Sequence, residues 1–203
     1  MWNERYRSAS FAYGKVPNTF FKEFMNTYKL SGNVLFPAVG EGRNAVYGVK
    51  SGVNAFAFDI SEEGKKKALR LATAEKVEIE YTVADFMTMD FMDHSFDAAV
   101  LISAHSPPNI ISDYNKKIAR LLKPEGLVIL EGFRKNYLPY REKNPMIGGP
   151  NIEEMLFSTE SISAHFPNFA ILQLEEVETE LREGDFHNGT GKVIRFVGRK
   201  KKE

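Results

Sequence analysis

From residue 31 onward, short apolar runs alternate with stretches in which apolar side chains recur every three or four positions. "NVLFPAV" predicts a first strand, and "NAVYGVKSG" a helix that begins at Arg43 or Asn44 and is stopped by Gly52. "NAFAFD" is a second strand ending at Asp59. Ser61 is placed to cap the next helix, with Glu62 and Glu63 in its first turn and Ala68, Leu69 and Ala72 as its buried stripe. "VEIEYTVAD" reads as a third strand and "FDAAVLIS" as a fourth; the latter barely alternates, as suits a strand covered on both faces. In "SDYNKKIARLLKPEG", Tyr114, Ile118, Leu121 and Leu122 share one helix face, and Pro124 bars continuation. "LVILEGF" supplies a fifth strand.

Repeated strand, helix, strand order predicts an α/β fold with a parallel, doubly wound sheet. The texture changes after Phe133. "RKNYLPYREKNPMIGGPN" has no clear period and reads as a loop or lid, taken as 134–157. A short helix from Ser158 to His165 then leads into "FAILQLEEVETEL" and "KVIRFVGRK", and the turn-rich "REGDFHNGTG" between them predicts a terminal hairpin. One domain over 1–203, with residues 1–30 as an N-terminal cap, is the simplest division.

"VGEGRNA", Val39 to Ala45, is where chemistry first shows. Two glycines one residue apart, directly after a strand, let the backbone turn sharply and approach a ligand. Gly40 to Ala45 also fits the dinucleotide pattern G-x-G-x-x-A, so the loop implies a nucleoside without naming it. Open parallel sheets bind ligands beyond the carboxyl ends of their strands. That rule gathers Gly40 and Gly42, Asp59, Asp85, and then Ser103 with His105, from four successive strand ends. Asp59 follows Gly40 at the distance expected of a ribose acceptor, and its plainer reading is a cap for the helix after it. Asp85 could accept from an adenine amino group with Phe86 packed on the ring, or be a turn aspartate.

Composition narrows the partners. The 27 basic and 27 acidic residues cancel, which removes the electrostatic reason to expect nucleic acid or an anionic membrane. The basic "GRKKKE" end reads as solvated. No apolar run is long enough to cross a membrane, the start carries no secretory pattern, and a cytoplasmic address is the default. With no cysteine, disulfides, thiolate metal sites and a cysteine nucleophile are excluded.

"VLFPAVGEGRNAVYGVKSG", "AFDIS", "VADF", "FDAAVLIS" and "LLKPEGLVILEGF", in that order, resemble the class I S-adenosylmethionine-dependent methyltransferases, in particular the small bacterial tellurite and thiopurine methyltransferase-like group. The resemblance implies a seven-stranded, mostly parallel Rossmann-like sheet whose last strand is antiparallel. S-adenosyl-L-methionine is then the cofactor and a small molecule the methyl acceptor. It further implies that Asp59 holds the ribose, Asp85 with Phe86 the adenine, and the loop Gly40, Glu41, Gly42 and Arg43 approaches the methionine part, with Ala38, Ile60 and Ser103 also at the cofactor. Arg43 is a candidate counter-charge for the methionine carboxylate. The family often carries an acid in the first strand and a glycine just after it, where this chain has Phe36, Pro37 and Ala38; Glu41 is the candidate replacement partner for the cofactor ammonium.

Three residues are candidates for work on the acceptor. His105 follows the fourth strand and reads equally as a packed loop histidine. His187 sits in the hairpin that returns to the cofactor side, or at a plain hairpin tip. Tyr13, in "YGKVPNTFF", is placed to close over the cofactor or to pack the N-terminal helix. Two rival functions stand beside methyl transfer: a nicotinamide-dependent oxidoreductase, favoured only by "GEGRNA", and a non-catalytic S-adenosylmethionine-binding sensor or partner protein.

Overall fold

A computed structural model describes residues 1–202. Seven strands form one sheet in the order β3-β2-β1-β4-β5-β7-β6. They are β1 (Gly32–Pro37), β2 (Val53–Asp59), β3 (Glu80–Val83), β4 (Phe96–Ile102), β5 (Leu122–Phe133), β6 (Phe169–Glu183) and β7 (His187–Lys200). The first five are parallel to one another; β7 is antiparallel to both β5 and β6. This is the doubly wound, Rossmann-like α/β sheet that the alternating pattern predicts, with the terminal hairpin completing it.

Helices cover both faces. On one, α2 (Thr19–Tyr28), α3 (Arg43–Lys50) and α4 (Glu62–Ala74) bury Phe21, Ala45 and Ala68 against Val34, Phe36 and Ala55. On the other, α5 (Ile111–Leu121) and α7 (Thr159–His165) bury Ile118 and Ile162 against Leu35, Ala99 and Leu130. Each fully buried phenylalanine, such as Phe21 or Phe36, contributes roughly 1.5–3 kcal/mol by leaving water. Odd and even residues of β1 therefore serve two cores, which is why the strand is a continuous apolar run.

Local chemistry sets the element ends. Ser61 accepts from Gly64 N–H and caps α4, as its position predicts. Pro37 is the last residue of β1, where a missing N–H costs least. The third strand is shorter than its apolar run, because β3 pairs only with the end of β2 at the sheet's edge. α5 stops at Leu121, ahead of Pro124, and Lys123–Gly126 bulge out of the β4–β5 ladder before it resumes at Leu127.

Residues 134–157 are not structureless. They contain α6 (Leu138–Lys143) and several single 3-10 turns, and a bridge between Arg134 and Phe157 closes the segment at its base. Tyr137 and Ile147 bury against Phe133, Leu181 and Val193. The N-terminal segment carries a one-turn helix, α1 (Trp2–Arg5), packed near α4. At the far side of the sheet, β6 pairs only with β7, so its outer edge is unpaired, and Glu175, Glu176, Glu178 and Glu180 are exposed along it. Among the described residues no helix is long and apolar enough to cross a membrane.

Candidate functional site

The loop after β1 and the end of β2 are joined by hydrogen bonds. Gly40 N–H donates to Asp59 Oδ2 at 3.0 Å, and Ser61 N–H donates to Oδ1 at 3.1 Å. Burial pushes the Asp59 carboxyl up, opposed by the amides of Gly40, Ser61 and Ile60. Each oxygen keeps a second lone pair, so a fixed acceptor with spare capacity stands at the rim. The Gly40 carbonyl is held from the other side by the Tyr81 hydroxyl at 2.8 Å. Gly40 and Gly42 both have positive φ, 56° and 84°. A Cβ on Gly42 would lie 2.5 Å from Ala68 Cβ, so the loop's close approach to α4 requires glycine.

Around Asp59 the strand ends leave apolar and polar groups uncovered. Ile60 is 59% exposed, Ala38 and Asp85 are exposed, and Ser103 is half-buried. Ala38 and Ser103 both sit in the left-handed region, φ 51° and 53°, an uncommon conformation for residues with a side chain. The strain falls at the carboxyl ends of β1 and β4, which are adjacent strands. Asp85 accepts from Met87 N–H at 2.9 Å and caps the 3-10 turn Phe86–Thr88. Lys117 pins that turn by donating to the carbonyls of Phe86, Met87 and Met89.

Three residues predicted to meet the cofactor are already engaged within the protein. The Phe86 ring is 4% exposed and packed on Phe58 and Tyr114, centroids 5.2 and 4.6 Å away, so it belongs to the core and has no face to offer adenine. Glu41 is buried and not an open carboxylate: Lys67 Nζ lies 2.6 Å from one oxygen, and Tyr13 N–H donates to the other at 3.2 Å. Arg43 is not a free counter-charge either, since it pairs with Glu183 at 2.8 Å and donates to the Val16 carbonyl.

The Arg43–Glu183 pair opens onto a network that sequence reasoning missed. Asn18 caps α2 through its side-chain oxygen, and its amide donates to Glu183 at 2.9 Å and to Glu131 at 2.6 Å. Arg195 closes the chain on Glu131 at 2.7 Å. The cofactor-side helix α3, the N-terminal segment and the β5–β7–β6 half are thereby tied together beside a cleft of about 170 Å³. In the sequence Glu183, Glu131 and Arg195 read as ordinary polar strand positions, and the burial of Lys67 on α4 is visible only in the fold.

Beyond the loop, aromatic side chains run from the first strand toward the hairpin. Tyr6 lies against Gly40, and Tyr13 packs on His187 with centroids 4.5 Å apart. Phe133 approaches the other side of His187 at 5.4 Å, and His105 at 5.9 Å. His105 has both ring nitrogens committed: Phe133 N–H donates to Nε2 at 3.1 Å, so Nδ1 donates to the Met155 carbonyl at 2.8 Å. Burial holds its pKa down to about 4. It is a neutral brace between β4, β5 and the 134–157 segment, with no lone pair left for proton transfer. His187 differs. Its Nδ1 lies 3.0 Å from Glu183 Oε2, while Nε2 has no partner among the described residues.

Residues 34–126 match the family described as "Methyltransferase domain". No curated protein sequence matches the chain. Among solved structures, the chain is similar to one reported for the conversion of a disulfide bond into a thioacetal group during echinomycin biosynthesis, at 14% identity and TM-score 0.78, covering 98% of this chain and 91% of that one. A SAM-dependent methyltransferase from Methanosarcina mazei is 22% identical with TM-score 0.65, covering 84% and 93%. The 1,6-didemethyltoxoflavin-N1-methyltransferase of Burkholderia thailandensis, crystallised with its substrate and S-adenosylhomocysteine, is 16% identical with TM-score 0.64, covering 90% and 76%. At these identities the structural likeness establishes the fold.

Proposed function

We propose that the chain is an S-adenosylmethionine-dependent methyltransferase and that its methyl acceptor is a small molecule held beside Tyr13 and His187. The observation that carries the reading is the Asp59 carboxylate, fixed by the amides of Gly40 and Ser61 with exposed Ile60 and Asp85 beside it. These groups fit an adenosyl moiety: acceptors for ribose hydroxyls at Asp59, an apolar face at Ile60, and an acceptor for the adenine amino group at Asp85. Arg43 and Glu41, each already paired within the protein, shape the loop rather than contact the methionine part.

When bound, S-adenosylmethionine supplies an electrophilic methyl group on a sulfonium. The protein's part is to align the acceptor and to exclude water. Tyr6 and Tyr13 close the N-terminal side, and Tyr137 ties the 134–157 segment down through the Gly148 and Pro150 carbonyls. The resemblance to the tellurite and thiopurine methyltransferase-like group, and the toxoflavin precursor named for one structural neighbour, support a small acceptor.

Unfolding followed by heat, with S-adenosylmethionine, S-adenosylhomocysteine or NADH added, tests the cofactor assignment. At a hundred times Kd a ligand of the native state stabilises by about 2.7 kcal/mol. Both sulfur nucleosides are expected to raise the midpoint and NADH to leave it unmoved; a shift with NADH alone overturns the reading. Measuring S-adenosylhomocysteine release over alcohols, phenols, amines and thiols separates enzyme from sensor. Binding without release from any acceptor favours the sensor.

A further inference from the structure

On the methyltransferase reading above, we propose that Glu183 and His187 form a proton-accepting pair, and that the acceptor carries a proton on the atom to be methylated, as a hydroxyl or ammonium does. Four observations meet at this pair. The two residues face each other across the β6–β7 turn, Glu183 being paired in register with His187. The Glu183 carboxylate is anchored by Arg43 and Asn18, and it accepts from His187 Nδ1 at 3.0 Å. That bond places the imidazole proton on Nδ1 and leaves the Nε2 lone pair free. His187 is 5% exposed, and its Nε2 is not among the fully sealed side-chain atoms left without a partner, which are Arg134 Nε, Arg141 Nε and His165 Nδ1. His105, the neighbouring imidazole, has no such free nitrogen.

A thiolate or an oxyanion of selenium or tellurium needs no base, whereas a hydroxyl does. As the acceptor oxygen bonds to the methyl carbon, the C–S pair stays on sulfur and the O–H proton passes to His187 Nε2. The products are a methyl ether, a neutral thioether and an imidazolium, which returns its proton to water. Glu183 is a positioning residue: it holds the tautomer and faces the cation that forms.

The groups facing His187 are Glu183 on β6, Arg43 at the start of α3, Arg5 and Tyr13 of the N-terminal segment, and His105 after β4. Burial lowers the His187 pKa, and Arg43 and Arg5 add to this against Glu183, so the ring is neutral and competent at pH 7.

The first test is an imidazole ¹⁵N spectrum of the protein saturated with S-adenosylhomocysteine, assigned with His187→Gln. A neutral His187 protonated on Nδ1 at pH 7, with that tautomer's share falling in Glu183→Gln, is the expected result. A proton on Nε2, or a charged ring, overturns the pair. The second test is turnover of unsubstituted catechol against 4-nitrothiophenol. His187→Gln is expected to lower kcat on the catechol 10²- to 10⁴-fold, with a loss at least tenfold smaller on the thiol. The wild-type catechol rate should rise with pH and level off as His187 loses its proton. Equal losses on both acceptors, or wild-type turnover of the thiol alone, overturn the assignment of acceptor. Failure to bind S-adenosylhomocysteine counts against the methyltransferase reading itself.

Discussion

Asp59 and His105 show how environment divides roles among residues that look alike in sequence. Asp59 is held by two amides yet retains lone pairs toward the rim, so Asp59→Ala is expected to weaken S-adenosylhomocysteine binding by about 1–3 kcal/mol, read by titration calorimetry. Unchanged affinity would remove Asp59 from the site. His105 is bonded at both nitrogens, and its folded-state pKa of about 4 lies below the ordinary value near 6.5. A histidine held neutral by the fold loses stability as acid protonates the unfolded chain first. The contribution is fully present above pH 6.5 and is lost as the pH falls to about 4, roughly 3 kcal/mol in all. Urea denaturation should therefore show a smaller difference between pH 7 and pH 4 in His105→Gln than in wild type. At this scale the sequence was legible where spacing carries meaning, as at Gly40, Gly42 and Asp59. It was opaque where a role depends on a distant partner: nothing around Phe86 announces the rings of Phe58 and Tyr114, and nothing around Arg43 announces Glu183.

Among elements, the strand and helix pattern was the most readable layer, because two-sided burial leaves continuous apolar strands and one-sided burial leaves striped helices. The segment 134–157 was not readable, since single turns joined by prolines and glycines have no period; what orders it is tertiary, the packing of Tyr137 and Ile147 on Phe133. The contact between the glycine loop and α4 is a second tertiary feature with a sharp expectation. Gly42 has φ 84° and no room for a side chain beside Ala68. Gly42→Ala combines left-handed strain of about 1–2 kcal/mol with overpacking of about 1–3 kcal/mol, and should lower the chemical denaturation midpoint accordingly. Ala68→Gly in the same chain relieves the clash and should recover part of the loss. If Gly42→Ala is as stable as wild type, the close approach is not a constraint.

Across the whole molecule, the parallel half that holds Asp59 and the antiparallel half that holds His187 meet through Arg43 and Glu183, side chains nearly sealed from water. Removing one partner strands the other charge, so Glu183→Ala is expected to destabilise the protein by about 3–5 kcal/mol, measured by urea unfolding. Glu183→Gln, which keeps a hydrogen-bonding group, should cost less; equal losses would argue against the ion pair as the link. A different consequence follows from the outer border of β6, where backbone donors and acceptors stand unsatisfied along a strand of 15 residues. Its glutamates set carboxylates, in part paired with Arg134 and Lys192, where a second molecule would have to zip onto that border. Exchange Glu175 and Glu178 for threonine, and the strand offers a template for fibre-like growth, which light scattering at rising concentration would register while the fold of each molecule stays intact.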